Sequence, residues 1–210
     1  SEGGLRLHAI RNPKEMHSHE WEMFNKGVRD LKDAKIVIDD RPALNPVQLR
    51  AKCIKEQRKH GSINVILVDY IQLMTVSGKS EGRTMDITRI SGALKGIAKE
   101  FDCTVIALSQ LNRGLEQRTD KRPIMADLRD SGAIEQDADI IMFLYSDEVY
   151  YPDSNQQGFA ELNIAKFRAG ETGAIGLRSA LHQGKFADIA DGESMPDPVI
   201  QARKKSGFNG

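Results

Sequence analysis

The sequence predicts an α/β fold: a mainly parallel, twisted sheet flanked by helices, with antiparallel strands and a hairpin toward the C-terminus. Two observations predict the parallel part. Mostly apolar runs, INVILV (63–68), CTVIAL (103–108) and ADIIMFLY (138–145), recur along the chain. A long amphipathic helical pattern separates the first two, as a right-handed crossover between parallel strands requires. The antiparallel part is read from a change of period. GFAELNIAKF (158–167) and GAIGLRSAL (173–181) alternate apolar and polar residues on either side of RAGET, the pattern of two strands joined by a glycine-containing turn.

Taken in order, the residues through Lys32 are polar and partly helical, with Trp21, Phe24 and Val28 at helical spacing. Trp21 reads as a core or interface residue. Lys35 to Asp39, KIVID, reads as a short strand. The next helix carries Asn45 as its cap, Pro46 at its first position and Gly61 as its stop. After the run at 63–68, TMDITRISGALKGIAKEF sets Ile87, Ile90, Leu94, Ile97 and Phe101 three and four residues apart, an apolar stripe facing a sheet. Beyond Asp191 two prolines, several small residues and a basic cluster predict a tail without structure. The expected organisation is therefore one domain over 1–190 and a tail over 191–210.

At 210 residues, 40% hydrophobic and 29% charged, the chain can bury one sizeable core and does not have a disordered composition. Lysines plus arginines number 30 and aspartates plus glutamates 30, so a polyanionic partner must be held by a local basic surface. Cys53 and Cys103 lack a C-x-x-C spacing; both read as buried thiols in a reducing, cytoplasmic compartment. No apolar run approaches a membrane span, and SEGGLRLHAI lacks the form of a signal peptide and an initiator Met, as in a processed or truncated chain. His17 and His19, without two further ligands at metal spacing, read as exposed side chains.

Asp69 is the first residue that asks for chemistry. Five apolar residues lie between Ile63 and Val68, and the carboxylate follows at once. It either marks a strand end or caps the next turn. Alternatively, a buried parallel strand delivers an oxygen ligand for magnesium at the carboxyl edge of the sheet, where open α/β sheets bind nucleotides. Gln110 ends the next strand in IALSQLNR, so parallel connectivity sets both on one edge. An amide there can donate to a phosphate oxygen without adding charge. Tyr70 and Gln72 read as packing or polar support beside Asp69.

The run SQLNRGLEQRTDKRPIMADLRDSGAIEQDADIIMFLY, together with DYIQLM and IAKFRAGETG, resembles the motor domain of replicative helicases of the DnaB type, a RecA-like family, over about residues 35–177. The resemblance implies a homohexameric ring that hydrolyses ATP with Mg2+ between subunits. It implies translocation on single-stranded DNA with duplex unwinding during replication, partnership with a primase and a helicase loader, and no membrane. Asp69 resembles the Walker B carboxylate that orders magnesium and its waters, and Gln110 the phosphate sensor at the head of a DNA-facing loop. Arg129, Asp130 and Gly132, with Arg113 earlier in the same segment, correspond to DNA-contacting positions. Lys166 and Arg168, two apart on a strand, resemble the pair that reaches a neighbouring subunit's phosphates, Arg168 as the arginine finger. The family's usual Gln between them is Phe167 here, where a main-chain contact can persist and a side-chain hydrogen bond cannot. Ser146 replaces a basic residue common in the family.

No G-x-x-x-x-G-K-[ST] occurs. SGKS at 77–80 fails the pattern, because Leu73 stands five before Gly78 and the tetrapeptide follows the Asp69 strand. By the resemblance, the catalytic glutamate lies upstream of Ser1. The chain is thus expected to hold metal carboxylate, sensor and finger, yet to show no DNA-stimulated ATPase alone. A RecA-like recombinase or clock ATPase shares the sheet and Asp69 but is not expected to carry DLRDSGAIEQDAD. The rivals from other classes are a non-catalytic subunit that joins and regulates helicase rings, and a DNA-binding module.

Overall fold

The computed structural model describes residues 5–128 and 132–197. In chain order these form α1 (Leu7–Arg11), α2 (Ser18–Lys32), α3 (Pro46–His60), β1 (Val65–Val68), α4 (Arg83–Glu100), β2 (Thr104–Ala107), α5 (Gly132–Asp137), β3 (Ile140–Tyr145), α6 (Asp147–Tyr150), β4 (Phe159–Phe167), β5 (Gly173–Ala180) and β6 (Lys185–Asp188), with short 3-10 turns between them. β1 and β2 make a two-stranded parallel sheet, and a four-stranded sheet has the order β3-β4-β5-β6. The residues group into two compact units: 39–143 with 164–172, and the remainder.

The unit containing β1 and β2 carries the crossover. β1 aligns with β2 in parallel register, Val65 beside Thr104 and Val68 beside Ala107, and α4 connects them. α3 begins as its sequence dictates: the Asn45 side chain accepts from the Gln48 N–H (2.9 Å), Pro46 tolerates the missing donor, and Gly61 ends the helix at φ 88°. The α4 stripe predicted from spacing is the core: Ile87, Ile90, Leu94, Ile97 and Phe101 are all buried. Ile97 and Phe101 pack with Cys53 of α3 and Ile66 of β1, while Ile90 and Leu94 pack with Ile71 and Met74.

Burial of these strands is one-sided. Ile66 is buried, but Val65 and Leu67 are 56% and 64% exposed and Ile106 is 43% exposed. The expectation of a buried parallel strand holds on one face only: α3 and α4 cover that face, and among the described residues the other is open. A third cluster joins Leu128, Ile141 and Phe143, with Leu111, Met125, Ile134 and Ala165 against it.

In the other unit, β5 and β6 pair antiparallel, with Leu177 opposite Asp188 and Ala180 opposite Lys185. An added Cβ at Gly176 would lie 2.9 Å from the end of the Ile189 side chain, which would have to shift to admit it. The Arg178 guanidinium lies 4.0 Å over the Phe159 ring and pairs with Glu193. Ser146 is buried and donates to the Phe159 carbonyl (3.0 Å), which is how a small hydroxyl suits this position.

Several expectations need correction. Residues 35–39 form no strand, and Ile36, Val37 and Ile38 are exposed, because no ladder partner lies beside them among the described residues. Of the two readings of Trp21, core or interface, the core one is corrected: it is 41% exposed and stacks edge-on against Phe24 (5.7 Å), and the buried positions of α2 are Glu20 and Gly27. Cys53 is buried but Cys103 only half-buried. The beginning of the tail has no regular structure, yet it is tied down: Gln156 donates to the Pro196 carbonyl (2.6 Å) and Asn155 to the Asp197 carbonyl (2.8 Å). Residues 198–210 lie outside the described part.

Candidate functional site

Asp69 follows the last residue of β1 and Gln110 stands three residues past β2, on the same carboxyl edge of the parallel pair. The main chain continues the pairing beyond the strands: the Leu108 N–H donates to the Val68 carbonyl (2.9 Å), and the Ile71 N–H to the Leu108 carbonyl (2.9 Å). Gln72 then ties the two ends together. Its side chain accepts from the Gln110 N–H (3.1 Å) and donates to the Ser109 hydroxyl (2.9 Å) and the Gln110 carbonyl (3.4 Å). Arg83, the first residue of α4, donates to the Gln72 carbonyl (2.6 Å) from behind. Asp69 and Gln110 are both exposed. The rim is exposed; two shallow hollows are lined by other residues, one by α3 and one around Glu20.

The chain beyond Gln110 is a closed loop. Leu111 bridges Leu128 in antiparallel fashion, and the Asn112 N–H donates to the Asp127 carbonyl (2.7 Å). Asp127 is buried, and its carboxylate accepts from the Ile124 N–H (2.8 Å) and from Arg118 (2.8 Å). Arg118 and Asp127 therefore serve the loop itself. Arg113 is exposed. Arg129 and Asp130, two of the predicted DNA contacts, lie outside the described residues. Gly132 opens α5 and is exposed; an added Cβ would meet nothing within 4 Å, so the main chain there is accessible.

Lys166 and Arg168 project from the end of β4 toward the last turn of α5. Lys166 donates to the Glu135 carbonyl and Arg168 to the Gln136 carbonyl. The Arg168 N–H donates to the Asp139 carbonyl (2.9 Å), and its guanidinium lies 3.6 Å from the Asp139 carboxylate. Asp139 also takes Lys95 from α4. The Lys95 hydrogen bond, followed by the charges of Lys95, Arg168 and Lys166, holds the Asp139 carboxyl below the usual carboxylate range. Phe167 turns its ring onto Gly170, where an added Cβ would lie 2.5 Å from it. That aromatic lid on the hairpin turn is what replaces the amide common at this position.

Sequence reasoning anticipated the rim and the hairpin pair but missed Asp139, Lys95 and the Arg118–Asp127 pair as partners. Lys95 and Asp139 are 44 residues apart, so no local pattern announces them. The weak signal for Asp139 is an acid immediately before an apolar strand.

A parallel pair joined by a helical crossover, with polar residues at its carboxyl edge, defines a RecA-like α/β class of domain. The chain belongs to the DnaB-like helicase C-terminal domain family, whose model matches residues 1–188. It is 45% identical over 173 residues to the replicative DNA helicase DnaB of Buchnera aphidicola subsp. Acyrthosiphon pisum, covering 82% of this chain and 38% of that protein. It is 43% identical over 183 residues to DnaB of Haemophilus influenzae, covering 87% and 39%. With the replicative DNA helicase DnaC of Bacillus subtilis it shares 40% over 190 residues, covering 90% and 41%. The chain thus spans about two-fifths of the length of these relatives. Among solved structures it matches an ATPase domain (TM-score 0.84, 35% identity, 90% of this chain and 67% of that one). It also matches a DnaB-like replicative helicase studied for its interactions with primase (TM-score 0.84, 35% identity, 90% and 46%).

Proposed function

We propose that this chain forms part of the motor of a replicative DNA helicase, acting in the cytoplasm within a homohexameric ring that couples ATP hydrolysis at subunit boundaries to movement on single-stranded DNA. Primase and a helicase loader are its expected partners. The observation that carries this reading is the Gln72 tether, which fixes Gln110 beside the Asp69 strand end and starts the loop at Leu111 without slack.

Asp69 is an exposed carboxylate at a strand end. That fits magnesium, which keeps several waters and takes one or two protein carboxylates together with phosphate oxygens. Asp69 would hold it, and the ion when bound neutralises charge on the phosphates. Gln110 donates to a terminal phosphate oxygen and registers its presence. A shift of Gln110 passes directly into the closed loop, because Leu111 is the next residue and is pinned to Leu128. Gly132 and Arg113 lie on the DNA side of this reading, with Arg129 and Asp130. Lys166 and Arg168, with the Phe167 main chain, serve a neighbour's phosphates.

The sequence has no phosphate loop, so this chain supplies the carboxylate, sensor and finger side of the site. Purified alone, it binds a single-stranded oligonucleotide with an affinity that falls as salt rises, and Arg129→Ala weakens that binding. It shows no DNA-stimulated ATPase. Salt-independent binding, or robust turnover by the isolated chain, counts against the proposal.

A second reading is a non-catalytic subunit that joins and regulates rings. Mixing the chain with an intact relative separates the two: inhibition or co-purification supports it.

A further inference from the structure

The two cations assigned to a neighbour's phosphates are already engaged within their own subunit. Lys166 and Arg168 donate to the carbonyls of Glu135 and Gln136 in the last turn of α5. Those carbonyls have no partner inside the helix, and the negative end of the helix dipole gathers there. Asp139, two residues past α5, adds a full negative charge 3.6 Å from the Arg168 guanidinium and fixes its main chain through the 2.9 Å bond from the Arg168 N–H. The result is an anionic seat with two acceptor carbonyls and a carboxylate, occupied by two cations. Arg168 is still 51% exposed on it, so the guanidinium is held but can be reached.

We propose that Asp139, with the carboxyl end of α5, is a positioning residue for the hairpin: it seats Lys166 and Arg168 in cis, and polyphosphate presented to the hairpin draws them off that seat. This rests on the reading of Arg168 as a phosphate ligand. Competition follows from chemistry alone. The donor given to the Gln136 carbonyl and the attraction of the Asp139 carboxylate at 3.6 Å both oppose the turning of the guanidinium toward a phosphate fork. Lys95 moderates the seat, because it shares the Asp139 carboxylate and dilutes the charge that Arg168 feels.

Departure of the cations has a consequence at the other end of α5. The helix has only six residues, too few to hold itself by its own hydrogen bonds; it is held by the packing of Ile134 against two core clusters and, at its last turn, by the two side-chain donors. Its first residue is Gly132, beside the loop assigned to DNA. Seating and unseating the hairpin therefore adds to or takes from what holds α5, and with it Gly132 at its first position.

The test uses the 210-residue chain, isotopically labelled, with the Arg168 side-chain Nε–H signal identified by its loss in Arg168→Ala and inorganic tripolyphosphate as the probe. In wild-type protein the signal moves on titration. In Asp139→Asn it moves at about two- to fivefold lower tripolyphosphate, the range expected for losing one exposed ion pair. Asp139→Glu restores the wild-type concentration. Lys95→Met moves it the opposite way, because Arg168 then has the carboxylate to itself; a merely structural role predicts no such inversion. Equal half-saturation in wild type and Asp139→Asn, with a clear response at Arg168, overturns the seat while leaving the phosphate reading intact. No response at Arg168 in any variant overturns both.

Discussion

The side-chain amide of Gln72 pairs with the main chain of Gln110, accepting from its N–H at 3.1 Å and donating to its carbonyl at 3.4 Å. A side chain thus continues the ladder where the main-chain bonds of Leu108 have ended, and one glutamine ties Gln110 to the Asp69 strand end. Replacing it should loosen the rim without unfolding the domain. Gln72→Ala is expected to lower stability by about 1 kcal/mol, or about 2–4 °C in Tm. Amide exchange at Gln110 should accelerate while that at Ile66 stays unchanged. Uniform acceleration along β1 and β2 would mean that Gln72 supports the sheet and not the rim.

The α4 stripe sets the stability of this unit. Ile90 is 1% exposed and packs with Ile71, Met74 and Leu94, whereas Met85, on the same helix, is 46% exposed. Ile90→Ala is expected to destabilise by about 2–5 kcal/mol and Met85→Ala by no more than about 0.5 kcal/mol. Urea midpoints measure both. Similar losses for the two would show that the stripe does not face the core.

That stripe was also the most legible part of the sequence, because helical periodicity is a local signal repeated over five residues. The strand ends were legible for a different reason: an acid and an amide break two apolar runs at the same place, and parallel connectivity supplies the third dimension. Residues 35–39 misled because apolar residues with strand propensity make a strand only beside a partner, and Ile38, at 83% exposure, has none among the described residues. β6 went unread since its four residues, KFAD, are too short for an alternation to appear. Asp139 carried only the weak cue of an acid before an apolar strand; its meaning comes from Lys95, Arg168 and α5, which only the fold assembles.

Acid sensitivity should trace to carboxylates paired ahead of and along the helices. Asp39 accepts a fork from Arg41 (2.9 and 2.7 Å) and lies 2.8 Å from Lys52, and these partners, Arg41 first, hold its carboxyl well below the usual range. Glu100, paired with Arg50, is lowered in the same direction. A carboxylate whose folded pKa is depressed contributes stability that is fully present above its unfolded value and lost as pH falls toward its folded one. Stability should therefore decline from about pH 4 downward, across the ordinary carboxylate range. In Asp39→Asn the decline should be shallower, with the residue left by Glu100 and Asp139 still present. Urea midpoints at several pH values decide this; identical slopes in wild type and variant would remove Asp39 from the account.

The cysteines point to the opposite end of the pH scale. Burial pushes the Cys53 thiol upward, with the neighbouring Cys103 adding to the shift, and burial raises Cys103 as well. A thiol raised in the folded state contributes stability that is present below its unfolded pKa and lost as pH rises through the folded one. Stability should therefore fall above about pH 8.5–9, and Cys53→Ser should flatten that fall while costing stability at neutral pH through a buried hydroxyl. Alkylation by iodoacetamide under native conditions should reach Cys103 before Cys53; the reverse order would contradict the packing of Cys53 in the core.

Asp127 gives the sharpest test of the loop. Its carboxylate is buried, and it accepts from Arg118 and from the Ile124 N–H, both at 2.8 Å, while its carbonyl accepts from Asn112 at 2.7 Å. Removing the carboxylate leaves a half-buried guanidinium and a main-chain donor without their acceptor, a loss of about 1.5–3 kcal/mol for a bond to a charged group. Asp127→Ala should therefore open the loop locally, and Asp127→Asn, which keeps one acceptor oxygen, should do so less. Trypsin reads the difference. Arg122 precedes Pro123 and resists cleavage, so new cuts should fall after Arg118 or Lys121, faster in the Ala variant than in the Asn variant and slowest in wild type. If the loop also presents DNA contacts, single-strand affinity should fall in that same order. Rapid tryptic cleavage of the wild-type loop, equal to that of Asp127→Ala, would show that the buried pair does not hold it closed.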